Sequence, residues 1–264
     1  MHIKSSSSHK TREPESGVLY IVGTPIGNLN DLSFRALNIL RNVSLVACED
    51  TRQTKKIMGK YDFKNCLISF NKHNSISKIP TIINHLQLGK SIALVSDAGM
   101  PSICDPGEDL VRESKLRGIE VICIPGPCAA LTALVSSGLP SSSFVFAGFL
   151  PRKKTDREKI LFEISKNERT TIIYESPHRL IKLLRELKDY CGENREIHIS
   201  RELTKKFEQN ISTNVGKVID YFHDKEIIGE ITIIIKGSKK EKNKDFDTKS
   251  LKKELCELVE LGLT

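Results

Sequence analysis

Two aspartates, two glycines and two prolines crowd into Asp97-Ala98-Gly99-Met100-Pro101-Ser102-Ile103-Cys104-Asp105-Pro106-Gly107. Proline fixes φ and removes a donor, and glycine lets the backbone approach a ligand, so this stretch continues neither a strand nor a helix. It offers carboxylates and bare backbone with no ring of cations. That chemistry suits a ligand with hydroxyls and a positive centre better than a phosphate. The stretch follows the apolar run Ile92-Ala93-Leu94-Val95 and precedes a helical pattern over 108–117. A loop at the carboxyl end of a sheet strand is where open α/β folds bind ligands.

Other stretches at strand ends carry candidate groups: 23–28, 49–52, 125–130, 174–179 and 201–205. In Pro125-Gly126-Pro127-Cys128-Ala129-Ala130, small side chains at a helix start let a flat ring or ribose reach backbone N–H groups. The competing reading is that they serve close helix–sheet packing. Ser176 and Pro177 are explained without function, as an N-cap and a first helical residue. Glu175, His178 and Arg179 beside them remain candidates.

The elements that must position these groups follow from hydrophobic pattern. A strand is expected over 19–22, then a helix over 32–41 capped by Asp31, with further strands over 44–48, 67–70, 91–96 and 120–124. Helices are expected over 77–88 and 108–117, and the alternation argues for a parallel sheet. A second unit starts near Pro125, with helices over 128–137, 155–166 and 177–190 and strands over 144–147, 170–174, 197–200 and 230–236. The expected organisation is a disordered tail (1–16), an N-terminal α/β domain (17–125), a C-terminal α/β domain (126–238) and a charged linker opening a helical module (239–264). The ending Gly262-Leu263-Thr264 reads as a cut inside that module.

Composition bounds the classes. With 264 residues, 39% of them hydrophobic, the chain has room for one large or two small domains. No apolar run approaches the ~20 residues of a membrane span. Residues 1–16 lack the apolar centre of a secretory signal, and Glu13 and Glu15 argue against a transit peptide. Seven cysteines without a C-x-x-C pair read as reduced thiols of a cytoplasmic protein. A net charge of +8 favours a polyanionic partner, nucleic acid being the common case, although Lys-rich segments such as 239–244 contribute to it. Gly89-Lys90-Ser91 lacks the upstream glycine of a phosphate-binding loop and lies between a helix and a strand, the wrong order. Neither G-x-G-x-x-G nor G-x-S-x-G occurs, and the seven scattered histidines suggest no metal site.

The segments LYIVGTPIGNLNDLSFRALNILRNVSLVACEDTR, LVSDAGMPSICDPG, IPGPCAALTALVSSGLP, GFLPRKK, YESPHRL and RELTKKFE together resemble the bacterial 16S rRNA ribose 2′-O-methyltransferase I family. That family is a branch of the tetrapyrrole methylase superfamily, and the likeness runs over about 19–236. It implies S-adenosylmethionine as methyl donor and the 2′-hydroxyl of cytidine 1402 in 16S rRNA, within the assembled small ribosomal subunit, as acceptor. It also implies a homodimer of two-domain α/β subunits, tetrapyrrole methylase-like, with the cofactor in the cleft between domains. In the family pattern the position of Met100 is usually Thr, and that of Cys104 Ser or Asn.

Methyl transfer from a sulfonium is a one-step displacement that needs alignment more than a protein nucleophile. On this reading Asp97, Ala98 and Gly99, with Pro101 and Ile103, hold the amino-acid or ribose end of the cofactor. Pro25, Pro125, Gly126, Cys128 and Ala129 hold the adenosyl half, and Tyr174, Glu175, Gly229 and Glu230 close the other side. A ribose hydroxyl needs a proton acceptor; Glu49, Asp50, Glu175 and Glu202 are unranked candidates. Arg52, Arg201, Lys205 and Arg152-Lys153-Lys154 are expected to meet phosphates, with Asn28 and His178 as further RNA contacts. Two alternatives stand beside this reading: a tetrapyrrole or protein methylase of the same superfamily, and a non-catalytic RNA-binding relative. The E-D-T-R, G-F-L-P and R-E-L-T-K segments speak against the first alternative, and the departures at Met100 and Cys104 are the sole support for the second.

Overall fold

The computed structural model describes residues 13–239. The expected linker and helix beyond them, and most of the expected N-terminal tail, lie outside the described residues. Disorder was expected through residue 16, but the chain is anchored from Glu13. Its carboxylate takes two hydrogen bonds from Arg35 at 2.7 and 2.6 Å, and the Glu15 N–H donates to the Tyr20 hydroxyl at 2.8 Å.

Five short strands, β1 (Leu19–Val22), β2 (Leu45–Cys48), β3 (Leu67–Ser69), β4 (Ile92–Val95) and β5 (Val121–Ile124), form a parallel sheet in the order β3-β2-β4-β1-β5. Parallel neighbours need crossovers, supplied here by α1 (Phe34–Asn42), α2 (Thr51–Lys60), α3 (Ser75–Gln87) and α4 (Glu108–Leu116). β1 and β4 are buried along their whole length, which is why both read as unbroken apolar runs. Two expectations change. Asp31 does not cap α1: the Asn28 side chain accepts from the Asn30 N–H and folds Leu29–Asp31 into a 3-10 turn. The cap is Ser33, whose hydroxyl accepts the Ala36 N–H at 3.1 Å. And 51–60, left unassigned between strands, is a helix whose buried face carries Thr54, Ile57 and Met58.

The second sheet is mixed. Its strands are β6 (Phe144–Phe149), β7 (Thr170–Glu175), β8 (Glu196–Arg201), β9 (Gln209–Asn214) and β10 (Ile231–Ile235), in the order β6-β7-β10-β8-β9. β6 runs parallel to β7, whereas β10 is antiparallel to both β7 and β8, and β9 is antiparallel to β8. Helices α6 (Lys154–Lys166), α7 (Pro177–Cys191) and α8 (Val215–Phe222) pack with this sheet around Leu180, Leu183, Leu184 and Leu187. β9 and α8 were not anticipated. Reversal of β10 has a useful result: Ile231, its first residue, pairs with Glu175 and Arg201, the last residues of β7 and β8. The turn at Gly229-Glu230 therefore shares an edge with both strand ends, although the sheet is not parallel.

Helix α5 (Ala129–Ser137) leaves the first sheet but packs on the second. Ala130, Ala133 and Leu134 meet Ile172 of β7 and Ile234 of β10, together with Ile26 and Leu203. Its small residues thus serve close helix–sheet packing over most of their length, the plainer of the two readings of that segment. Among the described residues no helix is long and apolar enough to cross a membrane.

Candidate active site between the two sheets

The loop after β4 is fixed by the loop after β1. Thr24 and Gly99 exchange backbone hydrogen bonds at 2.9 and 3.1 Å, and the buried Thr24 hydroxyl donates to the Ser96 carbonyl at 3.2 Å. Gly99 sits at φ +82°, while Ser102 and Cys104 hold positive φ without being glycine. Such backbone persists when its surroundings over-determine it, and it clusters at ligand clamps. One determinant is visible at Gly107, where a Cβ would stand 2.4 Å from the Ser102 hydroxyl oxygen.

Between this loop and the shared edge of the second sheet lies a cleft of about 460 Å³, within the size range of small-molecule sites. One wall presents Glu49, Asp97, Ala98, Gly99, Ile103 and Asp105. Cys128 and Ala129 come from the start of α5, and Tyr174, Glu175, Gly229 and Glu230 from the opposite edge. Tyr174 is braced by Phe146 and Phe149, with ring centroids 5.0 and 5.6 Å away. Its hydroxyl accepts the Ala130 N–H at 3.0 Å, so that helix-start amide is already used. Burial, with the Cys128 thiol nearby, holds the Tyr174 phenol protonated well above its ordinary range.

Of the sequence-predicted cofactor residues, Pro25, Pro101, Pro125 and Gly126 do not line the cleft. Pro25 and Pro101 are buried. Gly126 is glycine for another reason: a Cβ there would lie 2.7 Å from the Gly23 Cα, so two strand-end loops pass backbone to backbone. Residues that the sequence reading missed complete the wall, chiefly Asp105, Ile26, Phe149, Ser176 and Thr232. Asp105 stood in the same Asp/Gly/Pro-rich loop, and its second carboxylate was the available signal. Met100 and Cys104, singled out as family departures, both line the cleft.

The candidate bases separate by their partners. Asp50 caps α2 and binds Arg52 at 2.6 Å; that hydrogen-bonded guanidinium holds its carboxyl down at about 2. The Glu175 side chain is fully buried against Arg179 at 3.2 Å and Arg157 at 3.5 Å. Glu202 pairs with Lys205 at 2.8 Å, outside the cleft lining. Burial opposes its charge, but the Lys205 and Glu230 N–H hydrogen bonds and the nearby cations win, lowering its pKa. Glu49 lines the cleft and makes no ion pair among the described residues. Burial, then the charges of Asp105 and Asp97, push its pKa up against the pull of Lys72. Asp97 and Asp105 are raised as well, in each case first by burial.

Several expected phosphate contacts are already engaged. The Lys205 ammonium sits between Glu202 and Glu230 at 2.8 and 2.9 Å, and Arg201 donates to the Ile228 carbonyl at 3.0 Å. The Asn28 N–H donates to the Thr204 hydroxyl at 3.0 Å, tying the β1 loop to the β8 loop. Lys153 and Lys154 lie 3.6 and 3.7 Å from Asp156 and Glu158, whereas Arg152 and His178 are exposed.

A family model described as Tetrapyrrole (Corrin/Porphyrin) Methylases matches residues 18–219. A Thermotoga maritima protein named Ribosomal RNA small subunit methyltransferase I is 46% identical over 221 residues, covering 84% of this chain and 99% of the relative. The Bacillus subtilis protein of that name is 44% identical, over 86% of this chain and 77% of its own length. Among solved structures, a cobalt precorrin-4 methyltransferase superposes with a TM-score of 0.64 at 16% identity, over 83% of this chain and 95% of that one. Uroporphyrin-III C-methyl transferase from Thermus thermophilus, complexed with S-adenyl homocysteine, gives 0.58 at 14% identity, over 82% and 96%. At these identities the structural likeness shows the fold.

Proposed function

We propose, for a chain that belongs to the tetrapyrrole methylases and within them to the ribosomal RNA small subunit methyltransferase I family, that it methylates the ribose 2′-oxygen of cytidine 1402 in 16S rRNA. It is an S-adenosylmethionine-dependent rRNA methyltransferase. The observation that carries this reading is the cleft itself, which three carboxylates, Glu49, Asp97 and Asp105, line together with Ile26, Ile103 and Phe149. That donor set fits a molecule with an ammonium, a sulfonium and a flat base: negative groups face the positive centres, and apolar side chains accept the ring.

Asp97, Ala98, Gly99 and Asp105 would hold the polar end of the cofactor, and Ile26, Ile103, Cys128 and Ala129 its ring. When bound, the cofactor supplies a methyl group on a positively charged sulfur. Glu49 is the base: it takes the 2′-hydroxyl proton on its carboxylate as the ribose oxygen becomes a nucleophile. Asp50, Glu175 and Glu202 are committed to cations, and a carboxylate held by a guanidinium or ammonium is a poorer acceptor. The substrate is the assembled small subunit in the cytoplasm, and the enzyme acts as a homodimer. Support for the dimer comes from Leu131 and Val135, apolar side chains left exposed on the outer face of α5.

The test incubates the protein and labelled S-adenosylmethionine with small subunits, or with free rRNA, from cells lacking the modification. Nuclease fragments then locate the label. One 2′-O-methyl group at the named cytidine is the expected result. Label on a nucleobase, or in a porphyrin precursor with none in rRNA, refutes it. Sedimentation of the same preparation checks the dimer.

A further inference from the structure

Helix α2 carries a feature that none of this chemistry uses. Between Thr51 and Lys60 it holds Arg52, Lys55, Lys56 and Lys60 and no acidic residue. These cations fall at i, i+3, i+4 and i+8, a single helical stripe, and all are exposed while Thr54, Ile57 and Met58 face inward. From Arg52 to Lys60 the stripe is about 12 Å long at the ~1.5 Å rise of a helix. Its near end adjoins the cleft. Asp50, the cap of α2, donates its backbone N–H to the Asp97 carboxylate at 2.9 Å, and Glu49 just before it lines the cleft.

The cleft wall is acidic and repels phosphate, so an RNA strand that delivers a ribose to it must be gripped outside it. The basic groups expected to do so are partly neutralised, Lys205 by two carboxylates and Lys153 and Lys154 by weaker pairs. Lys56 donates instead to the neutral Gln53 amide at 2.9 Å, and Lys55 and Lys56 make no ion pair among the described residues. We infer that the exposed face of α2 is a phosphate track, on which Lys55, Lys56 and Lys60 bind the backbone of the rRNA strand entering the cleft. Phosphates position such a strand without reading its sequence. The inference rests on the RNA-methyltransferase reading and names where that substrate is held.

The test is the double variant Lys55→Ala/Lys56→Ala, whose exposed sites and alanine's high helix propensity leave α2 intact. Binding to assembled small subunits and to protein-free 16S rRNA is measured across a salt series, with S-adenosylmethionine affinity read by calorimetry. At physiological salt RNA affinity is expected to fall about tenfold, and the slope of log affinity against log salt to become shallower by about 1.4, the sum for two single-strand phosphate contacts. Cofactor affinity stays at the wild-type value. Lys153→Ala/Lys154→Ala should change the slope less. Wild-type affinity and slope in the α2 variant, in a protein whose wild type methylates rRNA, overturn the inference. Loss of binding to subunits but not to protein-free rRNA overturns it in favour of a ribosomal-protein contact. Failure of the wild type to methylate any rRNA removes the underlying reading, and this inference with it.

Discussion

Glu49→Gln removes the proton acceptor while keeping the side chain's size. General-base assistance is worth about 10² to 10⁴ in rate. Two features of the cleft place this variant near the lower end. Glu49 is only half-buried, so water can reach its position and take the proton in its place, and the rest of the wall that orients cofactor and ribose is untouched. A loss of about 100-fold follows, or about 2.7 kcal/mol of barrier at ~1.36 kcal/mol per decade. The assay is single-turnover methyl transfer at saturating cofactor and subunit, followed from acid to neutral pH. Wild-type rate falls as pH drops through the Glu49 pKa, which burial and the two neighbouring carboxylates hold above the ordinary 4.5. In the variant that acid limb disappears. Stability has the opposite sign. An acid raised in the native state contributes stability below its unfolded pKa, and that contribution is lost as pH rises through the folded pKa. At neutral pH the charged Glu49 therefore weakens the fold, and the glutamine variant should unfold at the same or higher denaturant. A wild-type rate, a retained acid limb, or a more than tenfold loss of cofactor affinity would each refute the assignment, the last by making Glu49 a cofactor ligand.

Asp97→Ala should weaken S-adenosylmethionine binding by about 10- to 100-fold, the worth of a charge-assisted hydrogen bond of ~1.5–3 kcal/mol. Because Asp97 also accepts the Asp50 N–H, Asp97→Asn is the control that keeps this acceptor; unchanged calorimetric affinity in both variants contradicts the site. Gly126→Ala forces a Cβ to 2.7 Å from the Gly23 Cα and should cost about 1–3 kcal/mol in urea unfolding, as overpacking does. A variant as stable as the wild type would show that the two loops part easily. Glu175→Ala strands Arg157, which is 4% exposed, and should destabilise by about 3–5 kcal/mol. A cost below about 1 kcal/mol would mean that Glu186, at 2.7 Å from Arg157, suffices alone.

The first sheet was legible because its central strands are buried on both faces and therefore unbroken in apolar character. α2 was not: of its ten residues only Ile57 and Met58 are buried apolar groups, too few to mark a period. β9, Gln209–Asn214, is an edge strand with one isoleucine and otherwise polar side chains, and nothing in it resembles a buried run. α8 was a different failure, since Val215, Val218 and Phe222 carry a helical spacing that was there to be read. The reversal of β10 could not be read, because strand direction depends on the partner that hydrogen-bonds it and not on local pattern. At the site, the Asp/Gly/Pro-rich loop announced itself by composition. The commitments of Glu175, Glu202 and Lys205 to ion pairs did not, because their partners are set by tertiary contact.

β10 stands in the middle of its sheet yet is the last of the described strands to be made. The first sheet is complete once β5, Val121–Ile124, has been made, whereas β7 and β8 stay unjoined until residues 231–235 have left the ribosome. Domains generally fold as units while the nascent chain emerges. A ribosome-modifying enzyme built this way acquires half of its cleft early and the other half only after residue 235 has been made. Nascent chains stalled before residue 231 should therefore protect the first sheet from protease and leave the second one open to it.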